Sequence, residues 1–186
     1  MGFDYVDLDD DVRGHMLAEF ELDASGELYL SKHFSNLGAE SYPAHMRTAI
    51  QAGNDASLAE ALRRQEYFNS HYMRAAPGGG STRVRVSRNV AETFAQGEFN
   101  RFYLRGLCSN VLATSGEEAQ IEIYRARASA NPRPESQAMV GKLVLAAALL
   151  ADLRAHKGLD LALGIPAGPN SGLSARRPRI AAPPSE

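Results

Sequence analysis

Residues 97–113 have the sequence GEFNRFYLRGLCSNVLA. Apolar side chains recur in it every three or four residues, which is the spacing of one face of an α-helix. Five large side chains share that face: Phe99, Phe102, Tyr103, Leu107 and Val111. The same periodicity extends from Asn89 to about Thr114, and a kink or a break is expected at Gly97. The pattern therefore predicts a long helix in the second half of the chain.

Two predicted strands flank this helix. Residues 82–87 and 121–127 alternate apolar and polar side chains, which is typical of half-buried strands. Strands joined by a helix can pair in parallel through a right-handed crossover. With a last helix over residues 145–156, residues 82–163 are predicted to form a β-α-β-α segment. Because a two-stranded sheet is marginal alone, we expect a short strand at residues 28–30, or another subunit, to complete it.

The first 68 residues are predicted to form a mainly helical segment. Its first helix begins near Asp9, because an acidic first turn suits the positive end of the helix dipole. Two more helices are predicted over residues 40–52 and 56–67, with Gly53 ending the first of them. Together with the strands, these helices place the chain in the α+β class.

Two stretches interrupt these patterns. Residues 69–81 contain Pro77 followed by three glycines, which leave the backbone nearly unconstrained, so this stretch is predicted to be a flexible linker. A phosphate-binding loop is disfavoured, since the glycines precede a strand and not a helix. Residues 164–186 hold five prolines and three glycines and are predicted to form an extended tail without regular structure.

The composition excludes several classes of protein. The chain has 186 residues, of which 44% are hydrophobic, enough for a buried core. Its longest apolar run, residues 143–151, is about half the roughly 20 residues that a membrane helix needs. Five aspartates between residues 4 and 11 do not fit a signal peptide, and Cys108 is the single cysteine. These features predict a protein made in a reducing cytoplasm, with no membrane partner.

No catalytic, cofactor or metal motif emerges from the sequence. Asp11, His15 and Glu19 recur every four residues on the first predicted helix and suit either a divalent metal or a solvated polar face. Cys108 has no neighbouring base and fits a small buried side chain. Ser136 lacks the flanking glycines of a nucleophile elbow. The sequence therefore predicts a protein that is not an enzyme and has no cofactor or metal.

Ten arginines are the candidate contact residues. They are Arg83, Arg85, Arg101, Arg105, Arg125, Arg127, Arg133, Arg176, Arg177 and Arg179. If the two predicted strands paired, those before the tail could form one basic surface for a phosphate backbone. The same arginines could instead dock acidic residues of this chain or of a neighbour, since residues 1–31 hold nine acids against Arg13 alone. A net charge of −2 favours docking to carboxylates.

Four segments carry a resemblance to a known group of proteins. They are residues 97–108 (GEFNRFYLRGLC), 124–127 (YRAR), 131–136 (NPRPES) and 168–173 (GPNSGL). This pattern resembles uncharacterised proteins of phages and prophages from GC-rich bacteria. The resemblance covers mainly the C-terminal half and implies a virion or head-associated structural role. It assigns no functional residue.

Taken together, these observations favour a non-catalytic assembly protein. We expect it to be an accessory component of a phage particle, made in the cytoplasm and then held to other protein subunits by its tail and linker. The alternative is a nucleic-acid-binding module that uses an Arg-rich β surface.

Overall fold

The computed structural model describes residues 2–157 and 172–179. The helices in these ranges are α1 (Asp10–Ser25), α2 (Asn36–Ala52), α3 (Asp55–Leu62), α4 (Val90–Ser115), α5 (Pro134–Met139) and α6 (Ala146–Ala155). The strands are β1 (His71–Ala75), β2 (Ser81–Arg85), β3 (Gln120–Arg125), β4 (Leu143–Leu145) and β5 (Leu173–Arg176). A short 3-10 helix, Gln65–Tyr67, follows α3. The predicted α+β class is confirmed.

Helix α4 lies at the centre of the fold, in contact with α1, α3, α6 and β5. The five large side chains predicted on its apolar face are all buried. The expected kink at Gly97 does not interrupt the helix, and this glycine is exposed. From Glu98 to Val111 nearly every residue is buried, which is typical of a helix in the interior of a domain.

The three N-terminal helices begin and end at capping residues. The side chain of Asp9 accepts a hydrogen bond from a backbone N–H in the first turn of α1, as its acidic start predicts. Gly53 ends α2, and the side chain of Asn54 caps α3. Helix α2 begins four residues before its predicted start, because the Ser35 hydroxyl caps it there, and α3 ends five residues before its predicted end.

The strands pair differently from the prediction. Strand β3 lies in the middle of a three-stranded sheet of order β4-β3-β5 and is antiparallel to both neighbours. Strand β2 pairs with β1 and not with β3. The predicted parallel pair of residues 82–87 with 121–127 is therefore wrong, and residues 28–30 form no strand. A short turn joins β1 to β2, and antiparallel strands joined this way need no crossover through α4.

The predicted linker over residues 69–81 is wrong, because most of it belongs to a β-hairpin. Each residue of β1 faces a residue of β2 in antiparallel register. Gly79 and Gly80 lie in the turn with φ of 91° and 83°, values that residues with a side chain rarely adopt. The glycines therefore shape a turn and do not separate two folded segments.

The two segments on either side of this hairpin share one hydrophobic core. Helix α1 packs along α4, and the rings of Phe20 and Phe102 meet edge to face at 5.2 Å between centroids. Helices α3 and α6 contact other parts of α4. In the described part of the chain, residues 1–68 and 82–163 therefore do not form separate cores, since α1 and α3 of the first segment pack against α4 of the second.

Part of the predicted tail, residues 164–186, is a strand. The side chains of Leu173 and Ala175 in β5 are buried against the core. Two side chains of α4 hold the backbone of β5: the amide of Asn100 donates to the carbonyl of Leu173 at 3.1 Å, and the Tyr103 hydroxyl donates to the carbonyl of Ala175 at 3.1 Å. The prediction of no regular element is wrong here, because partners distant in sequence fix the strand. Most of the remaining tail lies outside the described residues.

Candidate functional site

Arg101 and Arg105 lie inside the protein. They are 5% and 1% exposed on α4. Arg105 donates to Glu19 Oε2 at 2.9 Å and to Asp23 Oδ2 at 2.8 Å. Arg101 donates to Asp23 Oδ2 at 3.1 Å and to Glu98 Oε2 at 2.7 Å. Their prediction as contacts for a partner or nucleic acid is wrong, because both guanidinium groups are buried against acids of the same chain.

We define the buried charge cluster as Glu19, Asp23, Glu98, Arg101, Arg105 and Arg154. The last of these reaches in from α6, where Arg154 Nε donates to Glu19 Oε2 at 3.0 Å. The cluster thus joins α1, α4 and α6. Since each buried charge has an opposite charge in contact, the desolvation cost of the group is offset within the cluster. Its ion pairs link the three helices where they meet.

The cluster predicts a loss of stability in acid. Burial alone would raise the pKa of the Glu19 and Asp23 carboxyls, but hydrogen bonds from Arg154, Arg105 and Arg101 lower both below their usual values of 4.5 and 3.8. The folded state then binds these protons less readily than the unfolded chain. Their contribution to stability is complete above about pH 4.5 and is lost as the pH falls through the lowered pKa values.

Urea unfolding between pH 7 and pH 3 tests this expectation. At pH values below about 4.5, the urea concentration at the unfolding midpoint should decrease. This decrease should be smaller in an Arg105→Met variant, because its Glu19 and Asp23 carboxylates are less stabilised as anions. Burial raises the pKa of Asp55, so protonation of this carboxyl stabilises the folded state and opposes the effect of the cluster. The Asp55→Asn variant, which lacks this opposing group, is therefore measured alongside. A midpoint that stays flat down to pH 3 would contradict the expectation.

The arginines of β3, β5 and the adjoining segments are mostly held within the chain. Their partners are Ser136 for Arg125, Gln96 for Arg127, Glu122 for Arg176, and Asp9 and Asn110 for Arg177. Arg133 and Arg179 are exposed. These arginines therefore do not combine with Arg83 and Arg85 across paired strands, as the single basic surface would require. The contacts of Asp9 and of the cluster agree instead with docking of the acidic N-terminal region of the same chain.

Arg83 and Arg85 have a different environment. Both are exposed on β2, together with Arg74 on β1 and Arg88 just after the hairpin. No acidic residue occurs between Asn69 and Ala91. Within residues 2–157 and 172–179, none of the four arginines forms an ion pair. We call residues 69–88 the basic hairpin, and it is the candidate functional site.

The two faces of the basic hairpin differ. The outward face presents His71, Met73, Arg83 and Arg85, all exposed, with Met73 at 61%. The opposite face carries Tyr72, which is half-buried and meets the ring of His33 edge to face at 4.6 Å. The side-chain amide of Asn69 donates to the carbonyl of Phe34 at 2.7 Å and fixes the base of the hairpin. One face is therefore anchored and the other is open.

Sequence reasoning found Arg83 and Arg85 but missed Arg74 on the first strand of the hairpin. The alternation over residues 82–87 identified the second strand of the hairpin. The first strand, HYMRA, has no regular alternation of apolar and polar residues, so it was assigned to the linker. The signal that could have found the site is the run without acids on both sides of the glycines.

A shallow groove lies along α1 and the end of α4. It has a volume of about 590 Å³ and is lined by Asp10, Asp11, His15, Asn110 and other residues. His15 Nδ1 lies 2.9 Å from the Ser109 hydroxyl. Glu19, the third residue of the predicted stripe, is absent from this groove and belongs to the buried charge cluster. In the described ranges, no group of three His, Cys, Asp or Glu side chains could hold a metal ion.

Cys108 is buried in α4, as predicted. Burial, with a smaller effect of the Glu19 carboxylate, raises the pKa of its thiol to about 12. The thiolate is the nucleophilic form of cysteine, and it is scarce at neutral pH when the pKa is this high. Cys108 therefore acts as a small packed side chain.

Comparison with family models, curated proteins and solved structures found no match to this chain. Among the helices of the described residues, none combines the length and apolar character needed to cross a membrane.

Proposed function

We propose that this chain is a non-catalytic assembly protein that contacts its partner through the basic hairpin. The observation that carries the proposal is a cationic hairpin that stands outside the core. Strands β1 and β2 pair with each other and, within the described residues, with no further strand. Most of their side chains are exposed. A two-stranded hairpin of this kind is only marginally stable alone, so contact with a partner would stabilise it.

The arrangement of charges favours the hairpin arginines as the binding residues, in preference to the other arginines of the chain. The arginines of the buried charge cluster already have carboxylate partners, as do Arg176 and Arg177. Those of the hairpin have none in the described part of the chain. Exposed arginines without an acidic neighbour repel one another, and an anionic partner relieves that repulsion while supplying hydrogen-bond acceptors for the planar guanidinium groups.

The resemblance of residues 97–108 and 131–136 to phage and prophage proteins supports a place in a phage particle. Helix α4, which contains the first of these segments, forms the centre of the core. Residues 97–108 are therefore mostly buried in the core, and the proposed contact with a partner is made by the hairpin. Of the two contact elements predicted from the sequence, the linker is a hairpin and keeps that role in this proposal. Part of the tail does not keep it, because β5 is packed in the sheet beside β3.

Removal of the hairpin tests this function. The N–H of Val86 donates to the carbonyl of Ser70 at 3.0 Å, so an Asn-Gly turn can join these residues in place of residues 71–85. We expect the shortened protein to keep its helical circular dichroism and a Tm within a few degrees of the intact protein. We also expect it to lose association, measured by sedimentation velocity alone over a range of concentrations and with added duplex DNA.

The matched control is Arg133→Ala combined with Lys142→Ala, which removes exposed positive charge away from the hairpin and should leave association unchanged. An intact chain that associates neither with itself nor with nucleic acid would count against the proposed function. So would association that survives removal of the hairpin.

A further inference from the structure

We infer that the basic hairpin binds the phosphate backbone of double-stranded DNA. This inference rests on the proposed function, because it names the partner of the same element. It depends on three properties of the hairpin: its charge, its shape and the side chains of its outward face.

The charge of the chain is divided between the hairpin and the rest. Four arginines and no acids between Asn69 and Ala91 give this segment a formal charge of +4. Because the whole chain carries −2, the other residues together carry −6. A polyanion would attract the hairpin and repel the body of the protein. Such a molecule would approach DNA with the hairpin first.

The shape of the hairpin fits a DNA groove. Each strand has five residues, which at about 3.3 Å per residue gives a ribbon roughly 17 Å long. The major groove of B-DNA is about 12 Å wide and admits a two-stranded β-ribbon. Register places Met73 opposite Arg83 and His71 opposite Arg85, so two successive pairs on one face each carry one arginine. The guanidinium groups can then reach phosphates beside the groove.

The outward face favours duplex DNA over other nucleic acids. Single-stranded nucleic acids are held largely by stacking of bases on aromatic side chains. The aromatic residue of the hairpin, Tyr72, is on the opposite face and packs against His33, with the Lys32 ammonium 5.4 Å from its ring centroid. Duplex RNA has a deep, narrow major groove that a ribbon cannot enter. Apart from the single ring of His71, the outward face presents cations and no aromatic stacking platform, which suits a DNA backbone.

A second copy of this chain is the competing occupant, through its exposed acids. Several N-terminal carboxylates are already used within the chain, including Asp9, Glu19, Glu21 and Asp23. Asp10 and Asp11 stay exposed beside the groove along α1. A hairpin that docked there would contact a different surface of the second copy, and such contacts form two-fold dimers, rings or open filaments. The carboxylates of a protein surface are spaced less densely than the phosphates of a duplex, which carries one charge per about 1.7 Å of its axis.

The test measures the salt dependence of binding to a fluorescein-labelled duplex of about 20 base pairs and mixed sequence. Fluorescence anisotropy is recorded at several salt concentrations between about 50 and 200 mM. Arg83 and Arg85, the two arginines of the outward face, predict a contribution of about −1.8 to the slope of log K against log salt. Arg83→Ala with Arg85→Ala should reduce the magnitude of the slope by about 2 and weaken binding at low salt at least about tenfold. Both substitutions are at exposed positions, and circular dichroism checks the fold.

Two further variants show whether position or total charge matters. Arg133→Ala with Lys142→Ala removes the same two charges from other exposed positions and should leave the slope unchanged. Arg83→Lys with Arg85→Lys keeps the charges and should retain most of the binding. Single-stranded DNA and duplex RNA of the same length should bind at least several-fold more weakly.

Each contrary result has a defined meaning. Absence of DNA binding at 50 mM salt, an unchanged slope in the Arg83→Ala/Arg85→Ala variant, or equal losses in the two double variants would overturn the inference. Preference for single strands or RNA would do the same. If the intact chain associates with itself through the hairpin and ignores DNA, the inference fails while the proposed function stands. If no association of any kind depends on the hairpin, both fail.

Discussion

Replacing Arg105 with alanine is expected to lower the free energy of unfolding by about 3–5 kcal/mol. The guanidinium group is 1% exposed and contacts both Glu19 and Asp23. Its removal leaves these two carboxylates in the interior with part of their charge uncompensated. Arg154 still pairs with Glu19, and Arg101 still pairs with Asp23. The loss of stability therefore has two parts: the weakened ion pairs and the cavity left by the long side chain. Both effects have the same sign.

Urea unfolding measures this loss, and a surface ion pair provides the control. Arg47 pairs with Glu21 at 2.6 Å, but their side chains are 40% and 46% exposed. Water and salt screen such a pair, so Arg47→Ala should cost less than about 1 kcal/mol. For a chain of this length, the Arg105→Ala loss corresponds to a fall in Tm of roughly 10 °C. Equal losses for the two variants would contradict the structural role of the buried charge cluster.

The core of the fold could be predicted from the sequence, because it depends on local periodicity. Phe99, Phe102 and Tyr103 recur with a helical period, and burial of that face follows from their size. Strand pairing is different, since it depends on contacts between distant segments. The strand at Leu173–Arg176 is short, follows a stretch rich in Pro and Gly, and is fixed by Asn100 and Tyr103, more than 70 residues earlier. No local pattern reports such partners.

The candidate site was predicted in part, for a related reason. Arg101 and Arg105 are four residues apart, and such a pair looks the same in sequence whether it faces water or a buried acid. The matching signal was present, because Glu19 and Asp23 are also four residues apart on α1 and can face the arginines when the two helices pack. Arg83 and Arg85 were recognisable from strand alternation. Only the observed pairing of β2 with β1 shows that these two arginines lie apart from the others.

Gly106→Ala and Gly97→Ala are expected to change stability in opposite directions, although both lie in α4. A Cβ at position 106 would lie 2.4 Å from Met16 Cγ and 2.7 Å from the Met16 backbone nitrogen. The side chain of Met16 could move, but its backbone can move only if α1 shifts away from α4. Overpacking of this kind costs about 1–3 kcal/mol, and we expect the upper part of that range because backbone is involved.

At position 97 the same substitution meets no heavy atom within 4 Å. Gly97 is exposed in the middle of the helix, where alanine is favoured over glycine by about 0.8–1.0 kcal/mol. Gly97→Ala should therefore raise the urea midpoint and Gly106→Ala should lower it, with similar m-values if both variants unfold in two states. Both substitutions gain the same helix propensity. The difference between their changes in unfolding free energy therefore measures the contact of α1 with α4 alone. A gain in stability from Gly106→Ala would mean that the two helices do not approach this closely, and the buried charge cluster that lies between them would then need a different geometry.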